Sequence, residues 1–517
     1  MAKVGRYDAI VAEVFRKHYT PGCESFEFDR SEIERIAKRL KVALPLLTLA
    51  LFVAVGCAAK SKIAVRPEQL TIAPLAFNPP KAERYDGPNG MGVYLLTDKE
   101  LPLVEINAWI RIGSIYEPAG KVGLARLAGE VMRTGGTKSM APNALDEGLE
   151  FLAASVESGI GEEFGHVSMS CLKKDLPRVF ALFSQVIQAP AYDPQRVELA
   201  RNQLLEAIRR RNDNPEEVLR REFRTLLFGK DSPWARTPNA EDVKKIARED
   251  LIEFHKRYIA PDRVLLAVSG DITRAELDAL LDERFGGWQV KGAPLPPVAP
   301  LGADPPASVN LVDLKKSQSE IRVGHRGPRR GDPDEAVFEA FNEIFGGGMT
   351  SRLYADIRST RGLAYSVYGF LLPGRDRGFF ITSAGTKAGS TAETVAALIA
   401  QIRGLNGNPP TAKELEESRS ALINQFVFNY DSPGKIVNRR AELELMGYPP
   451  DYLETWLGRV RAVTVEDLRR VIAKTVRPDN LIVLVVGDPK AFDKPLDQFG
   501  TARKIEIEPA FGKKEGS

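Results

Sequence analysis

Several short strings in this chain occur twice at one spacing. Glu249-Asp250-Leu251, Pro261-Asp262 and Gly270-Asp271 return as Glu466-Asp467-Leu468, Pro478-Asp479 and Gly487-Asp488, and all three pairs share a single offset. In both copies a helix leads through a proline-led turn into an apolar strand, Val264-Leu265-Leu266-Ala267-Val268 and Leu481-Ile482-Val483-Leu484-Val485-Val486. Earlier, Leu152-Ala153-Ala154-Ser155-Val156 is echoed by Leu363-Ala364-Tyr365-Ser366-Val367 at a slightly shorter offset. Two echoes in the same order at nearly one offset mark an internal duplication. Whatever fold the chain takes, it is built twice. Between the copies, residues 293–308 (APLPPVAPLGADPPAS) carry six prolines, a composition suited to a stiff, extended linker rather than a helix. The expected layout is a first domain over 85–290, a linker over 291–308, a second domain over 309–490 and a tail over 491–517.

Periodicity gives the content of each copy. Residues 93–97 and 104–112 read as the strands of a hairpin turning at Asp98-Lys99-Glu100. Val104, Ile106, Ala108, Ile110 and Ile112 alternate, so one face of the second strand is buried. A helix begins near Gly123, with Leu124, Leu127, Ala128 and Val131 at helical spacing. Short strands at 153–158 and 164–171 and long helices at 175–188 and 194–213 complete the pattern. Strands and helices in mixed order indicate an α+β domain, an antiparallel-rich sheet with helices on one face.

The stretch before the first domain stands apart. Residues 42–57 (VALPLLTLALFVAVGC) are apolar, follow the basic residues Arg35, Lys38, Arg39 and Lys41, and end on small residues before a cysteine. Those are the features of an export signal, and Ala54-Val55-Gly56-Cys57 resembles a bacterial lipobox, whose cysteine carries lipid and becomes the mature N-terminus. Two other readings stand beside it. The apolar run over 42–59 reaches only the lower length limit for an uncleaved membrane anchor. It could also form a buried helix, against which Pro45 and the basic flank count. Either of the first two readings attaches the chain to a bacterial envelope membrane, facing the periplasm. Residues 1–41 precede the signal and include an amphipathic stretch with Ile33, Ile36, Ala37 and Leu40 on one face. The expectation is that translation starts downstream and that residues 1 to about 35 are not made. Residues 58–84 are proline-bearing, lack a sustained period and read as a tether.

Composition excludes some classes of function. Seventy-two basic against 69 acidic residues give a net charge of +3 with no long basic run, which argues against nucleic-acid binding. The four histidines, His18, His166, His255 and His325, are scattered, and Cys23, Cys57 and Cys171 form no Cys-x-x-Cys. Neither a histidine-rich metal cluster nor a disulfide framework is available.

Against that background the string Gly123-Leu124-Ala125-Arg126-Leu127-Ala128-Gly129-Glu130-Val131-Met132, followed by Gly135-Gly136-Thr137, resembles the signature helix of the pitrilysin family of zinc peptidases, which includes the mitochondrial processing peptidase. Active members carry H-x-x-E-H there, two histidines for zinc and a glutamate that activates the metal-bound water. This chain has Arg126 for the first histidine, Gly129 for the glutamate and Glu130 for the second histidine. Glu206 matches the family's third ligand. An arginine cannot ligate, and its fixed charge opposes a divalent ion. No metal is expected on this chain. Arg126 is free to pair with Glu130 or Glu206. The plain reading of the same helix is an apolar stripe with Arg126 and Glu130 as an i,i+4 pair on a solvated face.

The second half resembles the family's C-terminal signature from Gly346 to Tyr368: the glycine-rich turn Gly346-Gly347-Gly348, a helix, then an arginine and a tyrosine seven apart, Arg358 and Tyr365. The resemblance implies that this pair reaches a scissile carbonyl and that the glycines contact substrate. A guanidinium and a phenol are both hydrogen-bond donors, as an oxyanion requires. Residues 363–372 and 379–383 read as a hairpin with Tyr365 near its start, and strict alternation sets Tyr368 on the opposite strand face. The plain alternatives are a core tyrosine, solvated arginines and a simple turn. Taken together, the resemblance implies two duplicated α+β domains forming half of a clam-shell chamber. It further implies the zinc-less subunit of a heterodimeric peptidase, with zinc on a partner subunit and an unfolded peptide as substrate. A pseudopeptidase that scaffolds an envelope complex is the alternative.

Overall fold

The computed structural model describes residues 35–36 and 80–507. Cys57, the signal at 42–57, most of the N-terminal extension and most of the tether lie outside the described residues. Among the described residues no helix is long and apolar enough to cross a membrane.

Two six-stranded sheets carry the architecture. The first holds β1 (Glu83–Asp86), β2 (Gly92–Thr97), β3 (Leu103–Ile110), β4 (Ser155–Ile160), β5 (Gly165–Leu172) and β6 (Val264–Gly270), in the order β1-β2-β6-β3-β5-β4. The second holds β7 (Ser308–Asp313), β8 (Gln318–Arg326), β9 (Ala364–Leu372), β10 (Phe379–Lys387), β11 (Ile482–Gly487) and β12 (Ala502–Lys504), in the order β12-β7-β11-β8-β10-β9. The orders are the same strand for strand, except that the outer edge is filled by β1 from the start of one copy and β12 from the end of the other. The duplication is therefore structural as well as textual. Residues 502–504 belong to the second sheet, so ordered structure runs past residue 490.

One local expectation fails. β2 and β3 are consecutive but do not pair as a hairpin, because β6 inserts between them, parallel to β2 and antiparallel to β3. β6 is buried along almost its whole length, as a strand flanked on both edges and covered on both faces must be. β11 takes the equivalent place between β7 and β8.

The alternation on β3 does hold: Val104, Ile106, Ala108 and Ile110 are buried on one face. Against that face pack α1 (Leu124–Thr134) and α2 (Leu176–Gln188), with α3 (Pro194–Arg210) packed on α1. α1 presents Leu124, Leu127, Ala128 and Val131 inward, the stripe its spacing predicts. In the second half α5 (Glu335–Asn342) does the corresponding work beneath β9, around the stacked rings of Phe341, Phe345 and Phe380.

Each sheet also receives one helix from the other half. α4 (Pro215–Phe228), in the first half, lays Leu219, Phe223 and Leu227 against β8 and β11, beside Leu484 and Val486. In return α6 (Pro433–Leu445), in the second half, lays Val437 and Ala441 on Tyr94, Leu265 and Ala267 of the first sheet. Both helices open on a capping side chain followed by proline, Asn214-Pro215 and Ser432-Pro433. The exchange ties the halves through buried apolar surface. The linker is pinned as well: Leu295, Val298 and Leu301 pack on the first core, and Asp304 pairs with Arg326, Arg377 and Arg477.

Candidate functional site

Glu117 sets the entry to α1. Its carboxylate accepts from the Gly123 amide at 3.1 Å and the Ala125 amide at 2.6 Å, satisfying donors that the helix leaves open. Gly123 has φ +110°, which a glycine adopts without strain. Glu117 is only 5% exposed, and burial pushes its carboxyl up to about 7 against the opposing pull of those two amides. Nothing in the sequence marked Glu117 as the anchor of this helix.

The three substituted motif positions then fall as follows. Arg126 is exposed and, among the described residues, makes no ion pair, so the pairing with Glu130 or Glu206 expected from spacing does not form. Glu206 is exposed on α3 and pairs with Arg209 at 3.2 Å. Gly129 is buried where α1 crosses β4. A Cβ built there would lie 2.3 Å from the Ile160 amide nitrogen and 2.7 Å from the Gly159 carbonyl carbon. The Ser158 hydroxyl donates to the Gly129 carbonyl at 2.6 Å, fastening the same crossing. The position of the catalytic glutamate has no room for any side chain. Among the described residues no group of three His, Cys, Asp or Glu side chains could hold a metal ion, and the residues at the motif do not fit zinc.

A matching contact occurs in the second copy, at the offset that separates the repeated strings. Gly346 lies where the chain after α5 meets β9, and a Cβ there would stand 2.2 Å from the Gly369 nitrogen. Gly346 is buried and its glycine requirement is explained by packing. Gly347 is exposed and Gly348 half-buried, and a Cβ on either would come within 3.2 Å of the Glu343 carboxylate. The helix at Tyr354–Thr360 follows, a π-helical turn packed on β9. π-Turns of this kind are frequent at functional sites.

Arg358 leaves that turn exposed, its guanidinium carbon 5.0 Å from the centre of the Tyr354 ring. Tyr365 is 53% exposed. Its exposure has a specific cause. Ser366 pairs with Gly385 and Ala364 with Thr386, so Tyr365 is the extra residue of a β-bulge. Ala364, Val367 and Leu371 fill the second core, and the bulge keeps Tyr365 out of it. The bulge also overturns the strict alternation that set Tyr368 opposite Tyr365. Tyr368 too lies off the second core, packs against the first, and accepts from Arg322 at 3.1 Å. Tyr365 and Arg358 have no hydrogen-bond or ion-pair partner among the described residues. They are two uncommitted donors on neighbouring elements.

Two family profiles match the chain: "Insulinase (Peptidase family M16)" over residues 93–232 and "Peptidase M16 inactive domain" over residues 245–422. Among curated proteins, an uncharacterised zinc protease of Mycobacterium tuberculosis is 27% identical over 374 residues, 71% of this chain and 84% of that protein. The β subunit of the mitochondrial-processing peptidase of Dictyostelium discoideum is 20% identical over 406 residues, 74% of this chain and 84% of that one. Among solved structures, a peptidase M16 inactive domain from Pseudomonas fluorescens superposes with a TM-score of 0.73 at 24% identity, over 80% of this chain and 100% of that one. The periplasmic protease PqqL of Escherichia coli gives 0.68 at 17% identity, over 88% of this chain and 52% of that one.

Proposed function

Because the chain belongs to the insulinase-type peptidase family M16 and carries its paired domains, we propose that it is the zinc-less subunit of a two-chain peptidase acting on unfolded peptides. The observation that carries this reading is the asymmetry between its halves. At the first, both histidine ligands are replaced, by Arg126 and Glu130, and Gly129 is sealed against β4. At the second, a bulge holds Tyr365 outward, and Arg358 is exposed on the turn packed against the same strand.

In this reading a zinc on the partner subunit supplies the activation of water. Tyr365 and Arg358 donate to the carbonyl oxygen of the peptide as it takes on negative charge. Donors placed for the oxyanion act mainly in the transition state, so they raise turnover more than affinity. The chain itself, attached through Cys57 lipid or an N-terminal anchor, faces the periplasm.

The test is to reconstitute the chain with a zinc-bearing family subunit from the same organism and follow cleavage of an unfolded peptide. Tyr365→Phe keeps the ring and removes one donor, and kcat should fall roughly a hundred- to thousandfold with little change in KM or assembly. Unaltered turnover in that variant, or no activity in any reconstituted pair, would move the assignment to a scaffold.

A further inference from the structure

Beside the degenerate motif the first half opens a cleft of about 530 Å³. Seven arginines line it against two carboxylates, Glu162 and Glu217, and no lysine does. Arg126 enters from α1, Arg220 and Arg224 from α4, and Arg236 from the loop that follows it. Like charges crowded around a partly enclosed space repel, and an anionic ligand relieves that repulsion.

The arginines differ in how they are held. Arg224 donates to Glu162 at 2.6 Å and grips the Trp234 carbonyl. Arg236 is fixed by the carbonyls of Ser114 at 2.9 Å and Glu117 at 2.7 Å, while its Nε is buried with no partner. Arg220 holds Glu217 at 2.5 Å on an exposed helix face. Arg126 has no partner among the described residues. Arg224 and Arg236 are thus preset by backbone carbonyls, Arg210 pairs with Asp213 at 3.4 Å and Arg221 with Glu222 at 2.8 Å, and Arg126 keeps its donors for a ligand. A guanidinium fork suits a carboxylate, which accepts two parallel N–H bonds.

We propose that this cleft binds the carboxylates of an acidic peptide segment, so that acidic stretches of substrate are drawn to the place a zinc site would occupy. This rests on the peptide-handling reading above and names its substrate class. A nucleic acid is disfavoured by the walls. Trp234 is the aromatic residue lining the cleft, and it is buried with its indole N–H given to Asp376 at 3.2 Å, so bases find no stacking platform.

The experiment measures fluorescence anisotropy of the full chain with a labelled unfolded peptide rich in Asp and Glu. Sequence-matched Asn/Gln and Lys peptides and a single-stranded oligonucleotide serve as competitors. The acidic peptide should bind and weaken as salt rises. The double variant Arg126→Glu/Arg220→Glu should weaken it at least about tenfold, consistent with loss of charge-assisted hydrogen bonds. Both residues are exposed, and Arg126→Ala with an unchanged unfolding midpoint gives the same direction free of any folding defect. Peptides with free and amidated ends separate side-chain from terminal carboxylates, and dependence on either supports a carboxylate site. Equal affinity for the Asn/Gln peptide, an unchanged Kd in both variants, or displacement by oligonucleotide in preference to acidic peptide would overturn it. The readout needs neither partner nor turnover, so its failure is separable from failure of the Tyr365 experiment.

Discussion

Replacing Gly129 by alanine should lower the stability of the fold by about 2 kcal/mol. The new Cβ would stand 2.3 Å from the Ile160 nitrogen, where ordinary contact begins at 3.4 Å. Helix and strand must therefore part by about an ångström, a gap that forfeits a quarter to a half of each contact's attraction. Neither side can swing away. The obstructing atoms are backbone, and β4 is held to β5 at Gly159–His166 and Ile160–Gly165. Overpacking of this kind costs about 1–3 kcal/mol, and straining the Ser158–Gly129 hydrogen bond threatens about 1 kcal/mol more. Alanine returns about 1 kcal/mol of helix propensity.

The measurement is urea unfolding followed by tryptophan fluorescence, with Gly148→Ala as the internal control. Gly148 lies in the helix Pro142–Phe151 with nothing within 4 Å of its Cβ position, so alanine there should stabilise by about 0.5–1 kcal/mol. Gly346→Ala, at the equivalent crossing, should behave like Gly129→Ala. The triple change Arg126→His/Gly129→Glu/Glu130→His rewrites the zinc motif, and it should unfold more readily than Gly129→Ala because a carboxylate as well as a Cβ is forced into the crossing. If Gly129→Ala leaves the midpoint unmoved while Gly148→Ala raises it, the crossing is looser than the distances say and the loss of the glutamate is not sterically locked.

The purified wild-type chain should hold no stoichiometric zinc, and one tightly bound zinc per chain by metal analysis would contradict the account of Arg126, Gly129 and Glu130. Arg358→Lys should impair a reconstituted enzyme through kcat, since lysine keeps the charge and loses the planar fork, and wild-type kinetics would remove Arg358 from the site. Cys57→Ser should abolish acyl labelling in cells, whereas unchanged labelling and membrane retention would favour an uncleaved anchor. Burial holds His255 and His325 near pKa 4 against 6.5 unfolded, so stability should fall as pH drops from 6.5 towards 4, by up to about 1.4 kcal/mol per unit for each group. Glu117, raised from 4.5 to about 7, acts in the opposite sense and removes stability as pH climbs through that window. Thermal unfolding across pH 5 to 6.5 should show a steeper gain of stability with rising pH in Glu117→Gln than in wild type, because the opposing Glu117 contribution is gone, and parallel curves would refute its titration.

Patterns with a period shorter than one element were legible in the sequence. The alternation of Val104, Ile106, Ala108 and Ile110 and the stripe of Leu124, Leu127, Ala128 and Val131 name the faces that are buried, because burial follows the geometry of a strand or helix. What they do not name is the surface on the other side. Leu219, Phe223 and Leu227 announce an apolar face on α4, yet nothing nearby in the chain says that it rests on the other half's sheet. The pairing of β2 with β6 is hidden for the same reason, since Gly92 and its partner Leu265 stand near opposite ends of the first copy. Tyr365 is the subtler case. Two residues before the buried Val367, it reads by alternation as a core aromatic, and only the bulge against Gly385 and Thr386 turns it out.

Gly129 shows how far a motif can mislead about cause. As a letter it reads as a lost general base, one of three chemical deletions in the motif. In space it is a packing residue, matched by Gly346 at the offset that relates the two copies. A glutamate at 129 requires α1 to stand off β4, and in this chain α1 lies against it. Its first half is thus shaped like its second at this crossing. Reverting the three letters is therefore expected not to restore a metal site. What the chain displays chemically is the exposed Arg358 and Tyr365 and the arginine-lined cleft beside α1.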